Sequence, residues 1–256
     1  MRRVFVIIGL ILLIVQAGSA VSTELQIQKY APDGETLLAE KTVDYRWMEE
    51  NLPVHGDGMV HYYHQGPVFL DDPDERWNPA EDKNVREKDM GAVMGTDLRD
   101  LCDLAGGMNF GDIVEIRASD GFVKKFAYQN VYEPLPRQGR MVIAWYRADE
   151  GYVPDYATGM RLIFFADTTT NPWGIHAFGN WDWHESADEE YWYYYVQGGE
   201  RYPTTTGLSV QTVSEIVIYQ GGGIQQETSS PLGLGYLLPV IAVIAIGLAV
   251  FRRISQ

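Results

Sequence analysis

The sequence predicts an α+β domain that is mostly β, and three features carry that expectation. Short segments rich in Val, Ile, Phe and Tyr recur along the chain, bounded by turn residues. Glycine occurs 26 times and proline 12 times in 256 residues, enough for many tight connections. Segments with helical spacing are few and short.

Taken in order, Thr23–Tyr30 alternates as a strand does, with Leu25 and Ile27 on one side, and Ala31-Pro32-Asp33-Gly34 is a turn. Thr36–Val43 reads as a second strand, and Asp44–Asn51 as a short amphipathic piece closed by Pro53. His55–Asp89 has no sustained period and reads as a long irregular stretch, a length that is often functional. Gly95–Val131 is the clearest unit. Thr96–Asp97 is a helix start signal, Leu98, Leu101 and Leu104–Ala105 fall at helical spacing, and Gly106–Gly107 stops the helix. Ile113–Ala118 and Phe122–Tyr128 then read as two strands joined by Ser119-Asp120-Gly121, where glycine takes the positive φ of a hairpin. Further strands are expected at Arg140–Trp145, Met160–Ala166, Tyr191–Gln197 and Ser209–Tyr219, with an aromatic irregular loop at Asn171–Glu185.

Both ends carry apolar runs. Met1-Arg2-Arg3, the twelve apolar residues Val4–Val15 and the small residues up to Ala20 have the form of a secretory signal peptide, 1–20, with an uncleaved N-terminal anchor as the alternative. Leu232–Phe251 is 20 residues without charge, long enough to cross a bilayer, and Arg252–Arg253 follow it. That basic pair places the tail 252–256 in the cytoplasm. The expected organisation is therefore an outward-facing domain at 21–219, a flexible Gly/Ser/Gln-rich tether at 220–231 and one membrane helix at 232–251. The membrane is the expected partner, through that helix.

Between the four terminal arginines the chain holds 16 basic and 35 acidic residues, a net of −19. Such a surface repels nucleic acid, which is excluded as a partner, and suits solvation or cation binding. Cys102 is the only cysteine, so there is no intrachain disulfide and the core must hold the domain. No Asn-x-Ser/Thr acceptor is present.

The unit of a G-x-x-L-x-x-L-x-x-x-A-G helix, a strand, an S-D-G-[FY] hairpin, a second strand and a later R-L-apolar strand resembles the molybdopterin-binding domain of the sulfite oxidase family. The matching residues are Gly95, Leu98, Leu101, Ala105, Gly106, Ser119, Asp120, Gly121, Phe122, Gly159, Arg161 and Leu162. The likeness covers Asp89–Tyr219, and the whole chain also resembles a group of archaeal, anchored cell-surface proteins carrying that domain. The resemblance implies a sulfite-oxidase-like fold. In the family's enzymes a cysteine thiolate ahead of this region binds molybdenum. Here Cys102 sits inside the Leu-rich helix, where it reads as a small buried hydrophobe. The expected cofactor is therefore none, with a transition metal or molybdopterin as the alternative.

Two clusters could carry chemistry. His55-Gly-Asp57-Gly-Met-Val-His61-Tyr-Tyr-His64 holds His61 and His64 three apart, and with His184, Asp57 or Glu185 they could supply the three or four donors of a transition metal. The competing reading has these histidines bonding loop backbone. In Asn171–Glu185, Trp173, His176, Trp181 and Asp182 could line a ligand pocket with aromatic faces and a carboxylate; alternatively the loop packs its own tryptophans. Asp71–Glu75 reads as solvated acid. There is no G-x-S-x-G elbow, P-loop or dinucleotide fingerprint. The expected function is a non-catalytic surface binding or structural module, with an extracytoplasmic metal- or molybdopterin-dependent oxidoreductase as the alternative.

Overall fold

The computed structural model describes residues 21–77 and 84–223. The apolar runs at both ends of the chain lie outside the described residues. Among the described residues no helix is long and apolar enough to cross a membrane.

The order of elements is β1 (Glu24–Tyr30), β2 (Leu37–Asp44), α1 (Tyr45–Asn51), β3 (Val54–His55), β4 (His61–His64), β5 (Asp89–Asp97), α2 (Leu98–Asp103), β6 (Ile113–Ala118), β7 (Val123–Ala127), α3 (Tyr128–Tyr132), β8 (Arg140–Arg147), β9 (Gly151–Tyr152), β10 (Arg161–Phe165), β11 (His176–Phe178), α4 (Asn180–His184), β12 (Tyr194–Gln197), β13 (Glu200–Pro203) and β14 (Val213–Tyr219). The domain is α+β and mostly β. The first sheet has the order β2-β1-β14-β6-β7 and the second β10-β8-β5-β4-β11, with β3 added on β5 and β9 on β8. Strands β12 and β13 form a separate hairpin.

In the first sheet alternation is clear in β1, while β6 and β14 are buried along much of their length. Leu25 and Ile27 of β1 and Ile216 and Ile218 of β14 turn inward and are fully buried. The long polar side chains of Glu115, Arg117, Lys125 and Glu215 make ion pairs with one another: Arg117 reaches Glu115 at 2.6 Å and Glu215 at 3.4 Å, and Lys125 reaches Glu115 at 3.2 Å. In the second sheet Met141–Trp145 of β8 is buried without alternation, as expected for a central strand covered on both faces. The inward side chains of both sheets belong to one core, where Phe126 of β7 meets Phe164 of β10 edge-on at 5.9 Å between centroids.

The helix expected after Thr96–Asp97 is α2. The Asp97 carboxylate accepts from Arg99 N at 3.0 Å and caps it. After it, Gly106 and Gly107 take positive φ, and Lys29 Nζ donates to Gly107 O at 2.7 Å. Strand β6 has the bounds read from the sequence. The long irregular stretch expected at His55–Asp89 contains β4, and β5 follows at once as a central strand of the second sheet. Residues Gln220–Gly223, at the head of the expected tether, form a 3₁₀ turn, and Gly221 N donates to Asp112 Oδ1 at 2.9 Å.

Gly95 of β5 is required by close approach: a Cβ there would lie 2.4 Å from Ile143 O and 2.7 Å from Ala144 Cα of β8. Both atoms are backbone and cannot step aside. Gly95→Ala is expected to cost about 1–3 kcal/mol through overpacking, read as a lower denaturation midpoint with an unchanged slope.

Candidate functional site

A cleft of about 590 Å³ opens at one end of the second sheet, where β5 stops and β8 begins. The pairing of the strands assembles it. His55 closes β3 opposite Gly95, and Asp97 ends β5. Arg140 opens β8 opposite Phe165, the last residue of β10. His176 opens β11 opposite Tyr62 of β4. Tyr132 of α3 and Arg99 of α2 complete the polar rim, and Asp167 stands beside the β10 end.

One wall is aromatic. Tyr62 stacks on Phe165 with centroids 3.7 Å apart, and His176 leans on Tyr62 at 5.1 Å. Burial, with the Asp57 charge second, pushes the Tyr62 phenol up to about 12, so it stays a neutral hydrogen-bonding group. His176 Nδ1 lies 2.7 Å from Ala166 O. A carbonyl only accepts, so Nδ1 carries a proton and donates it to that carbonyl.

Two guanidinium groups also line the cleft. Arg140 Nη1 lies 2.7 Å from Asp97 Oδ2, whose side chain is only 3 % exposed. The Arg99 guanidinium sits 5.2 Å over the Tyr132 ring, and Tyr132 donates to Asp103. Burial and that bond hold the Tyr132 phenol well above its ordinary value. The acids of the cleft are already engaged: Asp97 by Arg140 and the α2 cap, and Asp167 by Thr169 N, which holds its carboxyl below the ordinary carboxylate range. What the lining offers a ligand is two guanidinium edges, the His176 imidazole and an aromatic face, while His55 Nε2 lies 4.0 Å from Asp100 Oδ2. That set suits an acceptor-rich or anionic molecule with a flat part.

Compared with known proteins, the chain matches no family model and no curated sequence.

The histidines singled out by spacing lie in separate settings. His61 and His64 are on strand β4, not on a helical turn, so a spacing of three turns them to opposite faces. His61 is exposed and bonded to Asp89 at 2.7 Å. His64 is fully buried; its Nε2 accepts from Phe164 N at 3.2 Å, between the edges of Phe164 and Phe178. His184 is stacked between Trp181 at 4.6 Å and Trp192 at 4.5 Å and bonds Glu185. Among the described residues no group of three or more His, Cys, Asp or Glu is placed to hold a metal.

Of the aromatic-loop candidates, only His176 reaches the cleft. Trp173 lies under Arg86 at 5.1 Å, Trp181 stacks on His184, and Asp182 accepts from Gly179 N at 2.8 Å at the start of α4. Trp183 is a core residue against Phe164 and Phe178. The cleft residues that sequence reasoning passed over are Tyr62, Asp97, Arg99, Tyr132, Arg140 and Asp167. Asp97 alone left a signal, as the helix start.

Cys102 does not line the cleft. It is fully buried inside α2, and burial, then the Asp103 and Asp97 charges, pushes the thiol far above its ordinary value. A molybdenum–thiolate bond needs an ionised, reachable sulfur, and this donor does not fit the family's cofactor.

Two outcomes follow. Arg140→Gln leaves the buried Asp97 carboxylate without its cation and is expected to lower stability by about 1–3 kcal/mol, measured by urea unfolding. For His64, burial and then Arg161 hold the folded-state value down at about 3, against about 6.5 unfolded. Between those values the unfolded chain binds the extra proton. Stability from this group is therefore complete above pH 6.5 and falls by about 1.4 kcal/mol per unit as pH drops towards 3. A His64→Gln variant is expected to show a flatter pH–stability curve over that window; an unchanged slope would contradict the assignment.

Proposed function

We propose that the chain is an outward-facing binding or structural module, anchored to a membrane by 232–251, whose domain is related to the sulfite-oxidase-type molybdopterin-binding fold and works without molybdenum. The observation that carries this reading is the burial of Cys102 inside α2, which removes the one thiolate such an enzyme could use. The order of α2, β6, the Ser119-Asp120-Gly121 hairpin and β7, with Arg161–Leu162 opening β10, supports the kinship in fold. Fold kinship alone carries no activity. The ligand contacts are assigned to the cleft, with Arg99 and Arg140 meeting negative or acceptor groups and Phe165, backed by the buried Tyr62 ring, offering the flat face.

The test is elemental and pterin analysis of the purified full chain in detergent. The expected result is no stoichiometric molybdenum. Molybdenum bound one to one, and lost in Cys102→Ser, would overturn this reading in favour of a molybdopterin oxidoreductase. A stoichiometric transition metal lost in His61→Ala and His64→Ala variants would favour the metal enzyme instead.

A further inference from the structure

Strand β14 ends at Tyr219, and the chain leaves the domain through Gln220–Gly223, pinned by Gly221 N to Asp112. The pairing register fixes what stands beside that exit. Tyr219 is opposite Tyr30, the last residue of β1, and Ile113, the first of β6; Tyr30 in turn is opposite Leu37, the first of β2. The exit end of the first sheet therefore carries the β1–β2 turn and the loop entering β6.

Three apolar side chains stand in solvent on these segments. Leu37 is 45 % exposed, Leu38 50 % and Phe110 81 %, the highest value for a large apolar side chain among the described residues. Phe110 is presented by a bonded turn, not a loose one. Asn109 N donates to Asp112 Oδ2 at 2.8 Å, Asp112 N donates to Asn109 O at 2.9 Å, and Lys29 ties down the preceding Gly107. Phe110 meets the Tyr128 ring edge-on at 6.3 Å between centroids and otherwise stands in solvent, available to a partner that covers it.

The length of the chain beyond the exit says what that partner is. Eight residues separate Gly223 from the uncharged run at 232. Even fully extended they reach about 28 Å. If that run crosses a bilayer, the exit end is the end of the domain that faces it.

We propose that this end of the first sheet rests on the membrane, with Phe110, Leu37 and Leu38 entering the interfacial layer. The proposal depends on the anchored reading above. The exposed Asp33 and Glu35 carboxylates of the β1–β2 turn, within a strongly acidic domain, match a zwitterionic surface and repel an anionic one. The domain then stands on the bilayer by its exit rim, with its orientation fixed by two contact loops and one helix.

The test uses the full chain in phosphatidylcholine vesicles, with an environment-sensitive nitrobenzoxadiazole dye on Phe110→Cys or Leu38→Cys. Both positions are exposed, so the substitutions leave the core intact, and the parent chain is the blank because Cys102 is buried. Ser119→Cys, on the hairpin at the opposite end of the sheet, is the control. The expected result is a blue shift at 110 and 38 and loss of emission with lipids spin-labelled at shallow acyl positions, with neither effect at 119. Water-like emission from both rim labels on a chain that stays with the vesicles overturns the rim while leaving the anchor intact. A chain that washes off the vesicles without detergent overturns the anchored reading itself. A blue shift that grows with protein density and is indifferent to spin-labelled lipid assigns the rim to a second copy and also overturns the proposal.

Discussion

The Asp97 carboxylate is the joint on which the rest of the structure turns. It ends a central strand, caps the helix that follows and receives a guanidinium from the neighbouring strand, all with a side chain only 3 % exposed. Burying a carboxylate is costly unless each oxygen has a partner, and here one takes the helix N–H and the other takes Arg140. Satisfying that charge fixes three things together: where β5 stops, where α2 starts and where β8 enters the sheet. The cleft is the space these three decisions leave open, and Cys102 lies buried within the helix that Asp97 caps.

The two sheets have different characters. The first alternates along β1 and carries a network of paired charges across β6, β7 and β14, while β6 and β14 are buried along much of their length. The second is buried through its centre and gives its polar side chains only at strand ends. This division explains why the cleft gathers at an end of the second sheet: a central strand covered on both faces can offer chemistry only where it stops. It also explains why the first sheet, whose chain exit is tied to the loop entering β6, presents a rim of its own.

Local chemistry was readable from the residues where neighbours in the chain are also neighbours in space. The helix at Leu98 and the strand at Ile113–Ala118 followed from spacing, a start signal and an Asp-Gly hairpin. Strand β5 did not, because Met90-Gly-Ala-Val-Met-Gly has no alternation; it is covered on both faces, and Gly95 is there for the close approach of β8. His61 and His64 invited a shared role by spacing, yet on a strand the same spacing separates them. The cleft was illegible for a different reason. Tyr62, Asp97, Tyr132, Arg140 and Asp167 come from distant segments, and only long-range pairing brings them together. The proposed sulfite-oxidase-like kinship rests on the order of local elements, the level at which the residues spoke most clearly.

One inaccessible sulfur decides whether this domain can hold molybdenum through a thiolate. The direct measurement is the rate at which Cys102 reacts with an aromatic disulfide reagent in the native full chain and after unfolding in guanidinium. A protonated thiol sealed in a helix predicts no reaction in the native protein and one equivalent released on unfolding. A native thiol that reacts at the rate of a free cysteine would mean that the sulfur is reachable and ionised, and the cofactor-free reading would fall with it.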